Sequence, residues 1–326
     1  MVPRIRQNSK WGFVCGRISV LEARLVSMDF YATLLAQEHL DDLIPHLQDT
    51  FLREYLGPGS PWEDFSALTD RCFFELAHSL REDCPDPTPV DLFLLNGDYM
   101  NLKNALVGFT SFPFRTTWLS SEKLAAIAGG DNNLLPEIVQ EAGVALLRES
   151  MDATALDAAL DGAYLRHLLR LAREFGNPTI EECVRERVLS RAVGVVWRAV
   201  RLQAGLRNHQ QYFLPLEDFT PVVTDLMASA DVRAWTGILS GPVGDLFEKA
   251  LEFPEDEQVS QFELMCANRL TCSARDGVYQ TAGPERVFSF LVALYAEMQN
   301  VKLVVCGRLN RVDLDLLRRR LRVCYG

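Results

Sequence analysis

The chain has 326 residues, 48% of them hydrophobic and 24% charged, a composition that belongs to an ordinary globular protein and excludes the fibrous and intrinsically disordered classes. Its 33 Lys and Arg against 44 Asp and Glu leave a formal net charge of −11, which argues against a nucleic-acid footprint built from basic residues over the whole chain. At this length two or three domains are expected.

In chain order, apolar residues first recur at three- and four-residue steps through Ile18, Leu21, Leu25, Met28, Tyr31 and Leu35, which predicts an amphipathic helical stripe. The same spacing returns at Leu165, Leu168, Leu169 and Ala172, and at Val287, Leu291, Leu294, Tyr295 and Met298. It returns again at Val312, Leu316, Leu317 and Leu321. Period-two runs of β-branched residues are scarce, so the expected fold class is all-α. Ser120 or Ser121 ahead of Glu122, Lys123 and Leu124 supplies a helix cap, and Pro284 and Glu285 after Gly283 open another helix. Breaks are predicted at Gly57–Pro61, Cys84–Pro89, Phe112–Ser121, Gly129–Asn133, Gly176–Pro178, Gln210–Pro215, Gly237–Gly244 and Gly277–Pro284. The breaks near 112–119 and 210–217 divide the chain into nearly equal thirds. Such a division calls for a search for repeats.

The first and last thirds share a pattern. Asp98, Asn101, Lys103 and Gly108 recur as Glu297, Asn300, Lys302 and Gly307, with the spacing acid-x-x-Asn-apolar-Lys-x-x-apolar-x-Gly and a constant offset of 199 residues. Two units of about 100 residues place a third copy near Arg191, Ala192, Val193 and Gly194, where the apolar spacing survives and the Asn and Lys do not. A weaker echo links Asp49 and Thr50 to Ser240 and Gly241, each expected to close one helical segment and lead into another. Asn is unfavourable inside a helix, and a buried amide without partners costs about 1–3 kcal/mol. Its recurrence therefore predicts a polar contact that fixes how the helix packs. The Lys two positions on falls on a different face, with its head expected in solvent.

Charge is unevenly spread: residues 1–24 carry a net +4, residues 302–326 a net +5, and the stretch between them −20. An acidic body with basic ends suits docking between two unlike surfaces. The eight cysteines, at 15, 72, 84, 183, 266, 272, 306 and 324, show no zinc-knuckle or redox spacing and read as buried thiols. With no glycosylation sequon and no signal-peptide core in Met1 to Lys10, a reducing cytoplasm is expected. The longest apolar stretches, Phe288–Ala296 and Val301–Gly307, are each expected to fall short of the roughly 18 residues that cross a bilayer.

Catalytic signatures are absent. Among His39, His46, His78, His167 and His209 none forms a zinc-protease motif, and Glu75 with His78 has the spacing of a di-iron helix in one copy where two are needed. No Gly-rich phosphate loop and no Gly-x-Ser-x-Gly elbow occurs. Adjacent acids, Asp41 with Asp42 and Glu181 with Glu182, diverge by about 100° on a helix and suit helix starts better than acid/base work. No cofactor and no metal is expected. The remaining candidate is a surface: Arg308, Arg311, Arg318, Arg319, Arg320 and Arg322 make a basic segment near the C-terminus, the expected partner interface. Trp11, Trp62, Trp118, Trp197 and Trp235 read as packing residues.

With these residues in view, the chain resembles the C subunit of archaeal and bacterial V/A-type ATPases, the equivalent of the eukaryotic V-ATPase d subunit. The likeness runs from about Ile18 to Tyr325. Its most specific pieces are Gly283–Leu291, then Glu297–Asn310 with its Glu-x-x-Asn-Val-Lys and Gly-Arg-Leu, then the Arg-rich terminal helix. Val20–Ser27, Asp98–Lys103 and Tyr164–Asn177 resemble other family markers, whereas Ala192 and Gly194 depart from the Asn-Ile-Lys common in the family's middle repeat.

The resemblance implies three similar helical domains, 1–117, 118–214 and 215–326, about a pseudo-threefold axis as a funnel. It implies a non-catalytic rotor subunit in the central stalk, between the axle subunits of the soluble ATPase head and the membrane proteolipid ring. Such a subunit has no transmembrane segment of its own, acts as a monomer within the complex, and lies on the cytoplasmic face of a prokaryotic membrane. The alternative is a cytoplasmic helical-repeat scaffold that binds another protein.

Overall fold

A computed structural model describes residues 9–56, 62–150, 152–201, 213–229 and 231–325. Arg4, Arg6, His209, the whole of the break at Gly57–Pro61 and the start of the one at Gln210–Pro215 lie outside the described residues. Every regular element among those described is an α-helix or a short 3-10 turn, so the protein is all-α.

The helices are α1 (Gly12–Glu22), α2 (Met28–Ala36), α3 (Leu43–Leu47), α4 (Phe65–Asp83) and α5 (Thr88–Leu106). Then come α6 (Ser121–Ala128), α7 (Glu137–Gln140), α8 (Val144–Ser150), α9 (Ala153–Phe175) and α10 (Pro178–Arg201). The last third holds α11 (Thr220–Ala228), α12 (Gly241–Ala250), α13 (Gln258–Ala274), α14 (Pro284–Leu309) and α15 (Leu314–Arg320). The chain divides into two compact units, one of residues 1–93 with 267–326 and one of residues 94–266, and both boundaries fall inside helices, α5 and α13.

Helix starts follow their capping residues. Ser120 Oγ accepts the Lys123 amide at the head of α6 (3.3 Å), Asp152 accepts that of Ala155 at α9 (2.9 Å), and Asp313 accepts that of Leu316 at α15 (2.9 Å). α14 opens on Pro284, as predicted.

The stripe from Ile18 to Leu35 corresponds to two helices rather than one. Residues 23–27 leave helical geometry because long-range partners claim them: the Val26 amide donates to Glu297 (3.0 Å), and Arg24 donates to the Thr50 carbonyl (3.0 Å) over the Phe51 ring. The Val26 bond takes the place of the intrahelical one that periodicity alone assumes.

In the first unit α14 is the central element, packed against α4, α1, α2, α15 and the 3-10 turn Arg275–Tyr279. Aromatic side chains fill this core, with Phe73 against Phe93 and Tyr295, and Phe93 against Phe288. The two apolar stretches that sequence reading kept apart lie on this single 26-residue helix, which is long and apolar enough to cross a membrane. Most of its apolar side chains are buried against the unit's other helices, so it serves as a core helix. In the second unit α9 and α10 pair, and α10 also meets α11 and α12. Trp197, Trp235, Phe247 and Phe262 form a fully buried aromatic cluster there. Trp11 is buried as predicted, whereas Trp62 and Trp118 are only half-buried.

Candidate functional site

The repeated Asn does the same job in both units. On α5, Asn101 is fully buried; its Nδ2 donates to the Phe114 carbonyl (2.8 Å) and its Oδ1 accepts the Phe114 amide (3.3 Å). On α14, Asn300 is 1% exposed; it donates to the Arg322 carbonyl (2.9 Å) and accepts the Arg322 amide (2.8 Å). A carboxamide carries one acceptor and a donor side by side, the same pair a peptide offers, so each Asn clasps one residue of a non-helical segment as a neighbouring strand would.

The acid one turn earlier shares the face of the Asn and makes a related contact. Asp98 accepts both the Thr117 amide (3.0 Å) and the Thr117 hydroxyl, and Glu297 accepts the Val26 amide. Glu297 is 3% exposed, and one of its oxygens, Oε1, has no hydrogen-bond partner. Burial pushes its carboxyl up to about 7, against the smaller opposing pull of the Val26 N–H and Arg24. On α5 the acid and the Asn pin one segment, at Phe114 and Thr117, and on α14 they pin two, at Val26 and Arg322.

The lysines correct the expectation that their heads reach free solvent. Lys103 bonds Asp161 (3.0 Å) and Asp157 (3.2 Å), an i, i+4 pair on α9, and Lys302 bonds Asp70 on α4 (2.6 Å). Burial alone would lower the Lys103 pKa, but the two aspartates outweigh it and hold the ammonium above its ordinary value. No signal in the acid-x-x-Asn pattern identified these carboxylates. The spacing of Asp157 and Asp161 on one helical face was legible, but their distant partner was not.

The shared glycines differ in role. Gly108 ends α5 with φ +88°, the left-handed region that favours glycine. Gly307 stays inside α14, where an added Cβ would collide with the Leu317 side chain of α15, so its use is close approach.

The middle third also has a physical account. A Cβ at Gly194 would lie 2.9 Å from Glu263 Oε1, and Glu263 in turn holds Arg198. Ala192 is buried, and the aromatic cluster around Trp197 packs the helix that an asparagine clasp would otherwise fix.

The six C-terminal arginines separate into two groups. Arg308 donates to the carbonyls of Leu34 (3.3 Å), Leu35 (3.2 Å) and Glu38 (2.9 Å), closing the end of α2. The Arg322 backbone is held by Asn300, and its guanidinium lies over the Tyr295 ring. Arg320 is half-buried. Arg311, Arg318 and Arg319 are exposed, with Arg318 paired to Asp315 (2.7 Å). Of the apolar stripe proposed for this helix only Leu317 is buried, because α15 is seven residues long and the chain turns extended at Leu321. The segment after it is bonded into the first unit: Asn268 accepts the Val323 amide (2.9 Å), and Arg275 donates to the Tyr325 carbonyl (3.3 Å).

Glu75 and His78 do not form a site, since Glu75 is exposed on Tyr55 (2.5 Å) while His78 is buried. His167 is held down to about 4, first by burial and then by Arg170. Among the described residues no three His, Cys, Asp or Glu side chains gather as a metal-binding group. All eight cysteines are free thiols, and Cys15, Cys72, Cys183 and Cys324 are buried.

The sequence matches the family model described as ATP synthase (C/AC39) subunit over residues 14–320. It is also similar to the C subunit of the V-type sodium ATPase of Enterococcus hirae, with 22% identity over 93% of this chain and 95% of the relative.

Proposed function

Since the chain belongs to the ATP synthase (C/AC39) subunit family, we propose that it is the non-catalytic central-stalk subunit of a V/A-type rotary ATPase. It is a subunit of a V-type ATPase, and so a peripheral part of a membrane-associated complex. In the proposed role it joins the axle subunits of the soluble head to the proteolipid ring, on the cytoplasmic face of the membrane. Torque then passes through it during proton or sodium transport or ATP synthesis. The carrying observation is the family match, which spans nearly the whole chain.

The geometry supports a load-bearing use. The repeat residues, Asn101, Lys103, Asn300 and Lys302, are spent on internal clasps and ion pairs. Side chains so committed resist twisting of the helices that carry them and need no reactive partner. We read the chain as three repeats, 1–117, 118–214 and 215–326, on the shared Asn-x-Lys pattern of the first and last thirds and the apolar echo in the middle one.

The exposed members of the basic segment are the ones free to meet a partner, so the test is charge reversal at Arg311, Arg318 and Arg319. Removing the last residues would unfasten Asn300 and Asn268 and confuse folding with docking. The triple Glu variant is expected to fold normally, to bind the ring or axle more weakly, and to show an altered salt dependence. Unchanged assembly at every salt concentration would remove this segment from the interface.

A further inference from the structure

Glu297 is a buried acid set against a break in the fold. Its Oε2 accepts the Val26 amide (3.0 Å), and Val26 belongs to residues 23–27, the non-helical connection between α1 and α2. Its Oε1 is buried without a hydrogen-bond partner. A carboxylate taken out of water needs several donors, and one N–H leaves it far short. The charged form is disfavoured for that reason, and the carboxyl titrates at about 7.

The groups around it bring little compensating charge. Arg24 in the same connection attracts it, but Arg24 is exposed and donates to the Thr50 carbonyl (3.0 Å) over the Phe51 ring. Tyr31 of α2, Cys72 of α4 and Cys324 of the C-terminal segment lie within electrostatic reach of Glu297; burial raises the pKa of each, so all three stay neutral around pH 7. The other charges packed along α14 are engaged elsewhere. Glu22 of α1 meets Arg286, Asp70 of α4 meets Lys302, and the Arg322 guanidinium lies over the Tyr295 ring. The Arg275–Tyr279 turn approaches α14 at Ser289 and α15 at Gly307, about two to three turns from Glu297, and Glu63 and Asp64 of the Trp62–Asp64 turn are exposed.

We propose that Glu297 is a proton-operated latch: protonated, it holds residues 23–27 on α14, and on giving its proton to water it releases them. The neutral acid keeps a carbonyl oxygen for the Val26 N–H and buries no charge. The carboxylate gains solvation once the connection lifts. The lift stays local, because α1 is anchored separately, to α4 by Arg17 on Asp83 (2.5 Å) and to α14 by Arg286 on Glu22 (2.5 Å). The seated carboxyl has a pKa above its ordinary 4.5, so the latch holds best in acid and weakens as the pH rises toward 7. Ala23, Arg24 and Met28 at this connection are exposed, so the order of a solvent-facing segment becomes a function of pH. The latch stands apart from the function proposed above and needs no partner subunit.

The experiment is amide hydrogen exchange resolved to single residues, on the full chain from about pH 5 to about pH 8, corrected for the intrinsic pH dependence of exchange. Protection of the Val26 amide is expected to fall about tenfold per pH unit between about pH 5 and 7 and to level off above about 7.5. A local release exposes little surface, so mild urea should lower protection at Val301, buried in the middle of α14, and leave Val26 unchanged. In Glu297→Gln the amide oxygen still accepts the Val26 N–H and no proton is lost, so the profile at Val26 should be flat. A flat profile in the parent would overturn the latch, as would a Glu297→Gln profile as steep as the parent's. Val26 protection equal to that of Val301 at every pH and urea concentration would overturn it too, since the connection would then open only with the whole unit; that comparison needs no variant.

Discussion

Replacing Asn300 with alanine removes both halves of the clasp on the Arg322 backbone, together with a longer contact to Cys324 Sγ (3.5 Å). Two hydrogen bonds of good length are lost, at 2.9 and 2.8 Å, each worth about 1 kcal/mol net. If the Arg322 amide and carbonyl stayed dry, the cost would rise by about 1–3 kcal/mol per group; Arg322 is half-buried, and the lower figure applies where water rehydrates both groups. The expected loss of unfolding free energy is therefore about 2–3 kcal/mol. Urea denaturation reads the total, and hydrogen exchange resolved to single amides reads its location: protection of the Arg322 amide should fall sharply while that of α9 and α10 is unchanged. Asn101→Ala should show the complementary pattern, releasing Phe114, with a smaller cost because one of its two bonds is longer (3.3 Å). If Asn300→Ala shifted stability by less than about 0.5 kcal/mol and left exchange at Arg322 unaltered, the clasp would not be what fixes the C-terminal segment.

The remaining predictions concern neighbouring contacts. The Glu297 carboxyl is raised from 4.5 to about 7 by burial, so its contribution to stability is full below about pH 4.5 and is lost as the pH rises through about 7. At about 1.4 kcal/mol per pKa unit this amounts to roughly 3 kcal/mol. Glu297→Gln should remove that slope in urea midpoints compared with the parent between pH 5 and 8, and parallel curves would contradict the assignment. A double-mutant cycle on Lys302 and Asp70 should give a coupling of about 0.5–1.5 kcal/mol, the low range expected where water reaches the pair. Gly307→Ala should drive Leu317 from its seat and cost about 1–3 kcal/mol by overpacking, while Gly194→Ala should cost less, because only the end of the flexible Glu263 side chain must move.

Much of the fold was legible because its signals are local. Ser120 capped α6, Pro284 opened α14, and the breaks at Cys84–Pro89 and Gly176–Pro178 separate helices as predicted. The Asn also announced itself, since a residue unfavourable in helices recurred at one register. Other features rest on partners far away in sequence. The interruption of the first stripe depends on Glu297, 271 residues from Val26. The fate of each lysine depends on an aspartate 58 or 232 residues away. Periodicity carries no record of such contacts, and for the same reason Arg308 read as surface charge when it closes α2.

Mechanical coupling through this chain is measured most directly as ion transport per ATP hydrolysed in vesicles holding the complete complex, compared with complexes lacking the chain. Without the chain the head should still hydrolyse ATP while ATP-driven transport is lost, and adding the chain back should restore it. Full transport in its absence, or loss of ATP hydrolysis by the isolated head, would contradict that coupling.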